Sequence, residues 1–226
     1  MAARTRVPGP RIGRAFFDRP TRRVARELLG ATCWVRGPHG VRSVRIVETE
    51  AYVAHDPANH AFHGRTRRNR SMFLRPGTLY VYRIHQVVCA NVVTRPGEAV
   101  LLRAGALPSG MEGSGSGPGR LCRVLGLTIE DDGIDTVRGR RVGFAPSPAR
   151  VRRIRTGPRV GIRRAADRPL RYLIDADPMV SRPAWARGLT AASPSRSDGA
   201  GPSRRTRRRS RRPSGGGRSG GRTGGR

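Results

Sequence analysis

Between residues 31 and 104 the chain divides into short apolar runs, each closed by a glycine or proline turn, and this punctuation constrains the fold more than any other feature. Residues 31–35 are followed by Gly-Pro-His-Gly at 37–40 and then by residues 41–49, where Val44 and Ile46 flank Arg45 in the alternation of a half-buried strand. This pattern predicts a β-hairpin. Further strands are expected at 78–84, 87–93 and 99–104, bounded by Pro76-Gly77 and Pro96-Gly97, and the last is apolar enough for a sheet interior. Residues 150–154, 160–162 and 170–174 supply later strands. Helices fall at the margins. Residues 18–30 read as one helix, capped by Asp18, with Pro20 in the first turn, Val24 with Leu28 and Ala25 with Leu29 on one face, and Gly30 as its stop. Pro118 opens a shorter one that carries Leu121, Val124 and Leu125 and ends near Gly126. The expected class is α+β: a single mixed domain with a mainly antiparallel sheet and peripheral helices.

Charge bounds the partners. The sequence has 46 basic and 15 acidic side chains, a net charge of +31, and every basic residue is arginine. Arginine forks onto phosphate and stacks on bases, so a polyanion is the expected partner. Eleven of the arginines lie in residues 190–226 against one acid, Asp198, a charge of +10 that leaves +21 for the rest of the chain. That segment is almost wholly Arg, Ser, Gly, Pro and Thr and is expected to be a disordered tail. It either binds nucleic acid electrostatically or reflects a compositional bias. Residues 1–13 are expected to be a flexible N-terminus, with the folded domain at 14–189. No run of roughly 18 apolar residues exists to span a bilayer and no secretory signal is evident, so a cytoplasmic protein without membrane attachment is expected. Cys33, Cys89 and Cys122 form neither a disulfide framework nor a zinc ribbon and are expected to be buried free thiols.

The densest polar segment is Glu48-Thr-Glu-Ala-Tyr52, followed by Asp56, His60, His63 and the arginines of 65–70. Glu48 and Glu50 face the same side of a strand, so one of them can be core-facing and carry a shifted pKa suited to base catalysis. The alternative is a pair of solvated carboxylates among arginines. His55, His60 and His63 with either glutamate could form a metal cluster, but the spacing is not that of a helical zinc motif, and hydrogen-bonding histidines fit such a loop better. Tyr80 and Tyr82 share one strand face, either as a stacking surface for a base or as ordinary sheet packing.

These blocks also carry a family pattern. Arg-Ile-Val-Glu-Thr-Glu-Ala-Tyr at 45–52, the Asp56 to His60 segment, Thr-Arg-Arg-Asn-Arg-Ser-Met-Phe at 66–73, Pro-Gly-Thr-Leu-Tyr-Val-Tyr at 76–82, Asn-Val-Val at 91–93 and Val-Leu-Leu-Arg-Ala at 100–104 resemble, in order, the 3-methyladenine (alkyladenine) DNA glycosylase family. The similarity resumes at 117–121, 157–162 and 167–172, and covers about 16–181. It implies a base-excision repair enzyme that flips alkylated or deaminated purines out of double-stranded DNA and hydrolyses the N-glycosidic bond, leaving an abasic site. It implies a curved antiparallel sheet and no metal or nucleotide cofactor. On this resemblance Glu50 matches the general base and Arg103 the arginine that helps hold the attacking water, with backbone near Ile162 as a further water-positioning place. Tyr52, His60 and Tyr82 match the pocket for the flipped base, and Asn91 the asparagine that crowds a guanine amino group. A bacterial-type, nucleoid-associated monomer is expected.

Two segments depart from the family. Where the family carries a Tyr-Gly whose tyrosine wedges into the vacated base-pair space, this chain has Arg-Ile-His-Gln at 83–86, which makes His85 the candidate wedge. The family's loop between Gly110 and Gly117 is cut to Met-Glu-Gly-Ser-Gly-Ser. Two rivals to the glycosylase reading are a weakened family member that binds DNA without efficient excision, and a plain Arg-rich nucleic-acid-binding protein. The absence of lysine adds a constraint of its own: no side chain can form the Schiff base of a glycosylase-lyase.

Overall fold

The computed structural model describes residues 9–181, so the tail at 190–226, the end of the expected domain at 189 and most of the N-terminal segment lie outside the described residues. Eight strands form one antiparallel sheet: β1 (Thr32–Gly37), β2 (Gly40–Tyr52), β3 (Leu79–Ile84), β4 (Val87–Arg95), β5 (Glu98–Ala106), β6 (Val142–Ala145), β7 (Ile154–Gly157) and β8 (Arg171–Ile174). The order is β3-β4-β5-β2-β1-β6, with β8 bonded to both β2 and β7. The fold is α+β, a curled antiparallel sheet with few helices, as the turn spacing indicates.

The long strand β2 organises the sheet. Its first half pairs with β1 and alternates buried Val41 and Val44 with exposed Arg42 and Arg45. Its second half, from Ile46 to Ala51, is buried without interruption. Here β2 pairs with β5 on one edge and, at Glu48, Thr49 and Glu50, with β8 on the other. The β2–β5 register shifts on either side of Glu48, leaving Val47 and Arg103 without Cα partners. A bulge of this kind re-aims side chains. It brings Arg103 onto the face of the two glutamates.

The helical expectations need correction at the N-terminal end. There are two short helices, α1 (Arg14–Phe17) and α2 (Thr21–Glu27), and Asp18 sits at the C-cap of the first. Pro20 is the N-cap of the second, with an extended ψ of 127°. A proline disfavours helical backbone in the residue before it, which divides the segment. The buried face is nonetheless Val24, Ala25, Leu28 and Leu29, and Gly30 turns the chain into the sheet by donating its N–H to Ile46. The third helix, α3 (Pro118–Leu125), ends on Gly126 in the left-handed region and buries Leu121, Cys122 and Leu125 against the sheet. Of the later strands, 150–154 contributes only its last residue to β7, and 160–162 is a loop. Strand β6 was not anticipated, since four residues between an arginine pair and a proline carry too little pattern. All three cysteines are buried free thiols. Among the described residues no helix is long and apolar enough to cross a membrane.

Strand β6 covers the ring of Trp34, which is wholly buried beside Gly143. A Cβ on Gly143 would lie 2.4 Å from Trp34 Cζ2, against a large ring that cannot swing aside. Gly143→Ala should therefore destabilise the fold by about 1–3 kcal/mol, read as a lower denaturation midpoint with an unchanged slope.

Candidate active site

Glu48 and Glu50 project from β2 to the same side, and both lie 3.3 Å from Arg103 Nε. Neither is solvated, since both are fully buried. Arg103 of β5, Arg171 of β8 and the backbone of Val160 and Ser181 close over the face from which they project. Their surroundings differ in kind. Glu48 Oε1 pairs with Arg171 Nε of β8 at 2.5 Å and accepts the Ser181 hydroxyl at 3.0 Å, while Oε2 accepts the Ser181 N–H at 2.6 Å. Glu50 has neutral donors: the Val160 N–H reaches Oε1 at 2.9 Å and the Tyr52 hydroxyl reaches Oε2 at 3.0 Å. Arg103 Nε spends its own hydrogen on Ser181 Oγ, so its contact with Glu50 is ionic. Each Glu50 oxygen thus keeps a lone pair open. Burial raises the Glu50 carboxyl above its ordinary value, opposed by Arg103, the Val160 N–H and the Tyr52 hydroxyl, and reinforced by Glu48.

Three residues that touch Glu50, namely Tyr52, Arg103 and Val160, line a cavity of about 300 Å³. The carboxylate lies one contact behind that wall. The rest of the lining combines aliphatic side chains such as Met72 and Leu101 with a cluster of aromatic rings and two asparagine amides. His60 meets Tyr82 edge-on at 4.5 Å between centroids, and Tyr80 and Tyr82 lie 5.5 Å apart at 31°. His60 Nδ1 shares a 2.8 Å hydrogen bond with the Tyr80 hydroxyl, and burial, aided by nearby Arg68, lowers its pKa. An imidazole that stays neutral presents a flat, uncharged ring to the cavity. Asn91 is buried and donates to the Tyr80 carbonyl at 3.1 Å, which fixes its amide in the wall.

The loop that delivers His60 has no regular structure, but two buried asparagines hold it. Asn59 donates to the carbonyls of Val53 and Gly97 at 2.9 and 2.8 Å, and Asn69 to those of His60 and Gly64 at 2.9 and 3.0 Å. His55 and His63 are exposed and apart from the glutamates. Among the described residues no group of three or more His, Cys, Asp or Glu side chains could share a metal ion. Beside the cavity runs an open cleft of about 820 Å³ whose lining includes Arg67, Arg68, Arg70 and Arg83. A second open cleft, about 860 Å³, lies beside α2; its one lining carboxylate, Glu27, is paired to Arg19 and Arg23, so it offers no group for acid–base work.

The expected site residues therefore converge: Tyr52, His60, Tyr82, Asn91 and Arg103 line one cavity, Ile162 is in its wall, and Glu50 stands behind it. His85 is at its mouth. It sits at the tip of the β3–β4 hairpin with a φ of +50°, exposed between the exposed apolar side chains of Ile84 and Val87. The cut loop at 110–117 is tied down by a hydrogen bond from the Gly105 N–H to the Gly115 carbonyl, and leads directly into α3. Sequence reasoning missed Arg171 and Ser181 as partners of Glu48, Tyr80 as the support of His60, and Arg159. The Gly-Pro-Arg-Val-Gly-Ile block at 157–162 was the available signal for the last.

A carboxyl raised by burial is protonated more readily in the folded chain than in the unfolded one. Its neutral form then favours folding, fully below the unfolded value of about 4.3, and this contribution is lost as pH rises through the folded value. We expect the Glu50 carboxyl carbon, followed by 13C NMR, to titrate above 4.5. Tyr52→Phe removes a donor that favours the charged form and should move the midpoint higher still.

The methylpurine-DNA glycosylase (MPG) family profile matches residues 15–178. Two similar bacterial proteins are each named "Putative 3-methyladenine DNA glycosylase". The one from Rhizobium etli is 41% identical over 186 residues, 75% of this chain and 88% of that one. The one from Mycobacterium tuberculosis is 42% identical over 203 residues, 77% of this chain and 94% of that one. With the matched span running from α1 through β8 and enclosing every residue of the cavity wall, the chain belongs to the methylpurine-DNA glycosylase family, the hydrolases of DNA base-excision repair.

Proposed function

We propose that this chain is a monofunctional glycosylase that accepts a flipped, alkylated or deaminated purine in the aromatic cavity and hydrolyses its N-glycosidic bond, with Glu50 as general base. The observation that carries this reading is the environment of Glu50: a buried carboxylate of raised basicity, held by three cavity-lining residues, with an open lone pair on each oxygen. The water oxygen attacks the sugar C1′ as the bond to the base nitrogen breaks. Its proton passes to Glu50, and the base leaves with the bonding electron pair. The carboxylate also favours the positive charge that develops on the sugar. Arg103 lines the cavity and holds the water, with backbone near Ile162 as a further contact.

Tyr52, His60 and Tyr82 sandwich the extruded base, and their π faces favour cationic alkylated purines. Asn91, fixed by its bond to the Tyr80 carbonyl, crowds an exocyclic amino group at the position where guanine carries one. The arginine-lined cleft beside the cavity supplies phosphate contacts that seat the duplex. No lysine is present to form a Schiff base, so the product is an intact abasic site in double-stranded DNA.

Glu50→Gln should lower single-turnover release of free base by about 10²–10⁴-fold while leaving binding to a lesion duplex nearly unchanged. Equal rates in mutant and parent would remove Glu50 from this role. Glu48→Gln, which removes the charge facing Arg171 and one of the two acceptors used by Ser181, should act mainly on stability. Parent protein that binds lesion duplexes and releases no base would favour the rival reading, a family member that binds without excising.

Flipping leaves a gap that a side chain must fill, and His85 at the hairpin tip is the residue we assign to it. Stacking on a base is worth about 1–3 kcal/mol, and imidazole covers less area than phenol. His85→Tyr should raise excision from stable pairs more than from mismatches, and His85→Ala should lower it. If rates and pair preference both stay unchanged, another residue fills the gap.

A further inference from the structure

Arg159 and Asp56 form a fully buried ion pair that the reaction outlined above does not use. The guanidinium grips both carboxylate oxygens, through Nη1 to Oδ2 and through Nη2 to Oδ1 at 3.0 Å. It also donates to the Ala51 carbonyl at 3.2 Å, and its central carbon lies 4.6 Å from the Tyr52 ring centroid. The next residue, Val160, sends its N–H to Glu50. Two consecutive loop residues therefore touch three consecutive strand residues: Val160 holds Glu50, and Arg159 holds Ala51 and Tyr52. Tyr52 in turn donates its hydroxyl to Glu50.

Neither Arg159 nor Asp56 lines the cavity. Residues 158–160 have no strand ladder to fix them, so the aim of the Val160 N–H rests on the anchor of Arg159. As a stability device the pair is poor, because two desolvated charges often do no better than apolar residues of similar volume. Arg159 Nε is buried with no partner among the described residues, which adds to that cost. We infer that Asp56 and Arg159 are a positioning pair, which sets the direction and proton affinity of Glu50 through the Val160 N–H and the Tyr52 hydroxyl. This rests on the reading of Glu50 as the base.

The other groups facing Glu50 are independent of the pair: Glu48 on β2, Arg103 from β5, Cys89 from β4, and Arg171 from β8 acting through Glu48. Loss of the pair should therefore loosen the two neutral donors alone, and the Glu50 proton should be held to higher pH.

The test uses the full chain with the double substitution Asp56→Leu and Arg159→Met, which removes both charges and orphans neither. Thermal unfolding should stay at or above the parent temperature. The 13C titration of Glu50 should move up by about one pH unit, and single-turnover base release should fall about tenfold or more with its acid limb displaced upward. A folded double variant with the parent titration of Glu50 overturns the inference, whatever its activity. A shifted titration with no base release by parent or variant upholds the positioning and removes Glu50 as the base. Arg159→Lys, which keeps the charge and loses the planar grip, replaces the double variant if that one fails to fold, with the same two outcomes.

Discussion

Two carboxylates on one strand are carried into the middle of a sheet, and the rest of the site follows from how their charges are met. An isolated carboxylate in such surroundings costs many kcal/mol unless it is paired or protonated. Here Glu48 and Glu50 share Arg103, and Arg171 supplies the second cation. The four charges cancel, but the sharing is unequal. Glu48 takes the Arg171 contact and both donors of Ser181, while Glu50 is left with a longer contact to Arg103 and two neutral donors. Identical side chains two residues apart thus stand in different surroundings, the first bound into the sheet by a second arginine and the second met mainly by neutral donors.

The bulge at Glu48 is what permits the sharing. In a regular antiparallel pair, residues opposite one another alternate strictly between faces, and one extra residue on each strand changes which side chains meet. With Val47 and Arg103 both unpaired, the register is the same on either side of Glu48, so the long strand keeps its pairing at both ends. The deviation is confined to the point at which three charged groups must converge.

How much of this is legible in sequence depends on how far apart the partners lie. The hairpin at 31–49, the strands from 78 to 104 and the helix closed by Gly126 are set by turn residues and by alternation within a dozen positions, and they form where the pattern puts them. The N-terminal segment forms two helices rather than one because Pro20 acts on the residue before it, against the apolar spacing that would make it continuous. That both glutamates are buried was not readable, because alternation marks one buried face of β2 and says nothing of β8, some 120 residues on. The Asp56–Arg159 pair spans 103 positions and follows no period. How the loop bearing His60 is held is hidden for a similar reason, since nothing local shows that Asn59 and Asn69 turn inward to bind carbonyls. Sequence patterning finds the elements that carry the site, whereas the contacts that tune it are long-range.

The exclusive use of arginine bears on the same tuning. Guanidinium stays protonated even when desolvated, whereas a buried lysine readily loses its proton. Arg103, Arg159 and Arg171 have side chains between 0% and 13% exposed and face carboxylates, so a lysine in any of these places would add a second titrating group beside Glu50. With arginine throughout, the cations that face the two glutamates keep their charge as the pH changes. Burial pushes the hydroxyls of Tyr52, Tyr80 and Tyr82 further up, so the tyrosines of the cavity wall keep their protons. Burial holds the proton of the Glu50 carboxyl more tightly than an ordinary carboxylate holds its own. On the proposal that Glu50 is the base, the tyrosine hydroxyls are thus fixed donors around a carboxyl whose basicity burial raises.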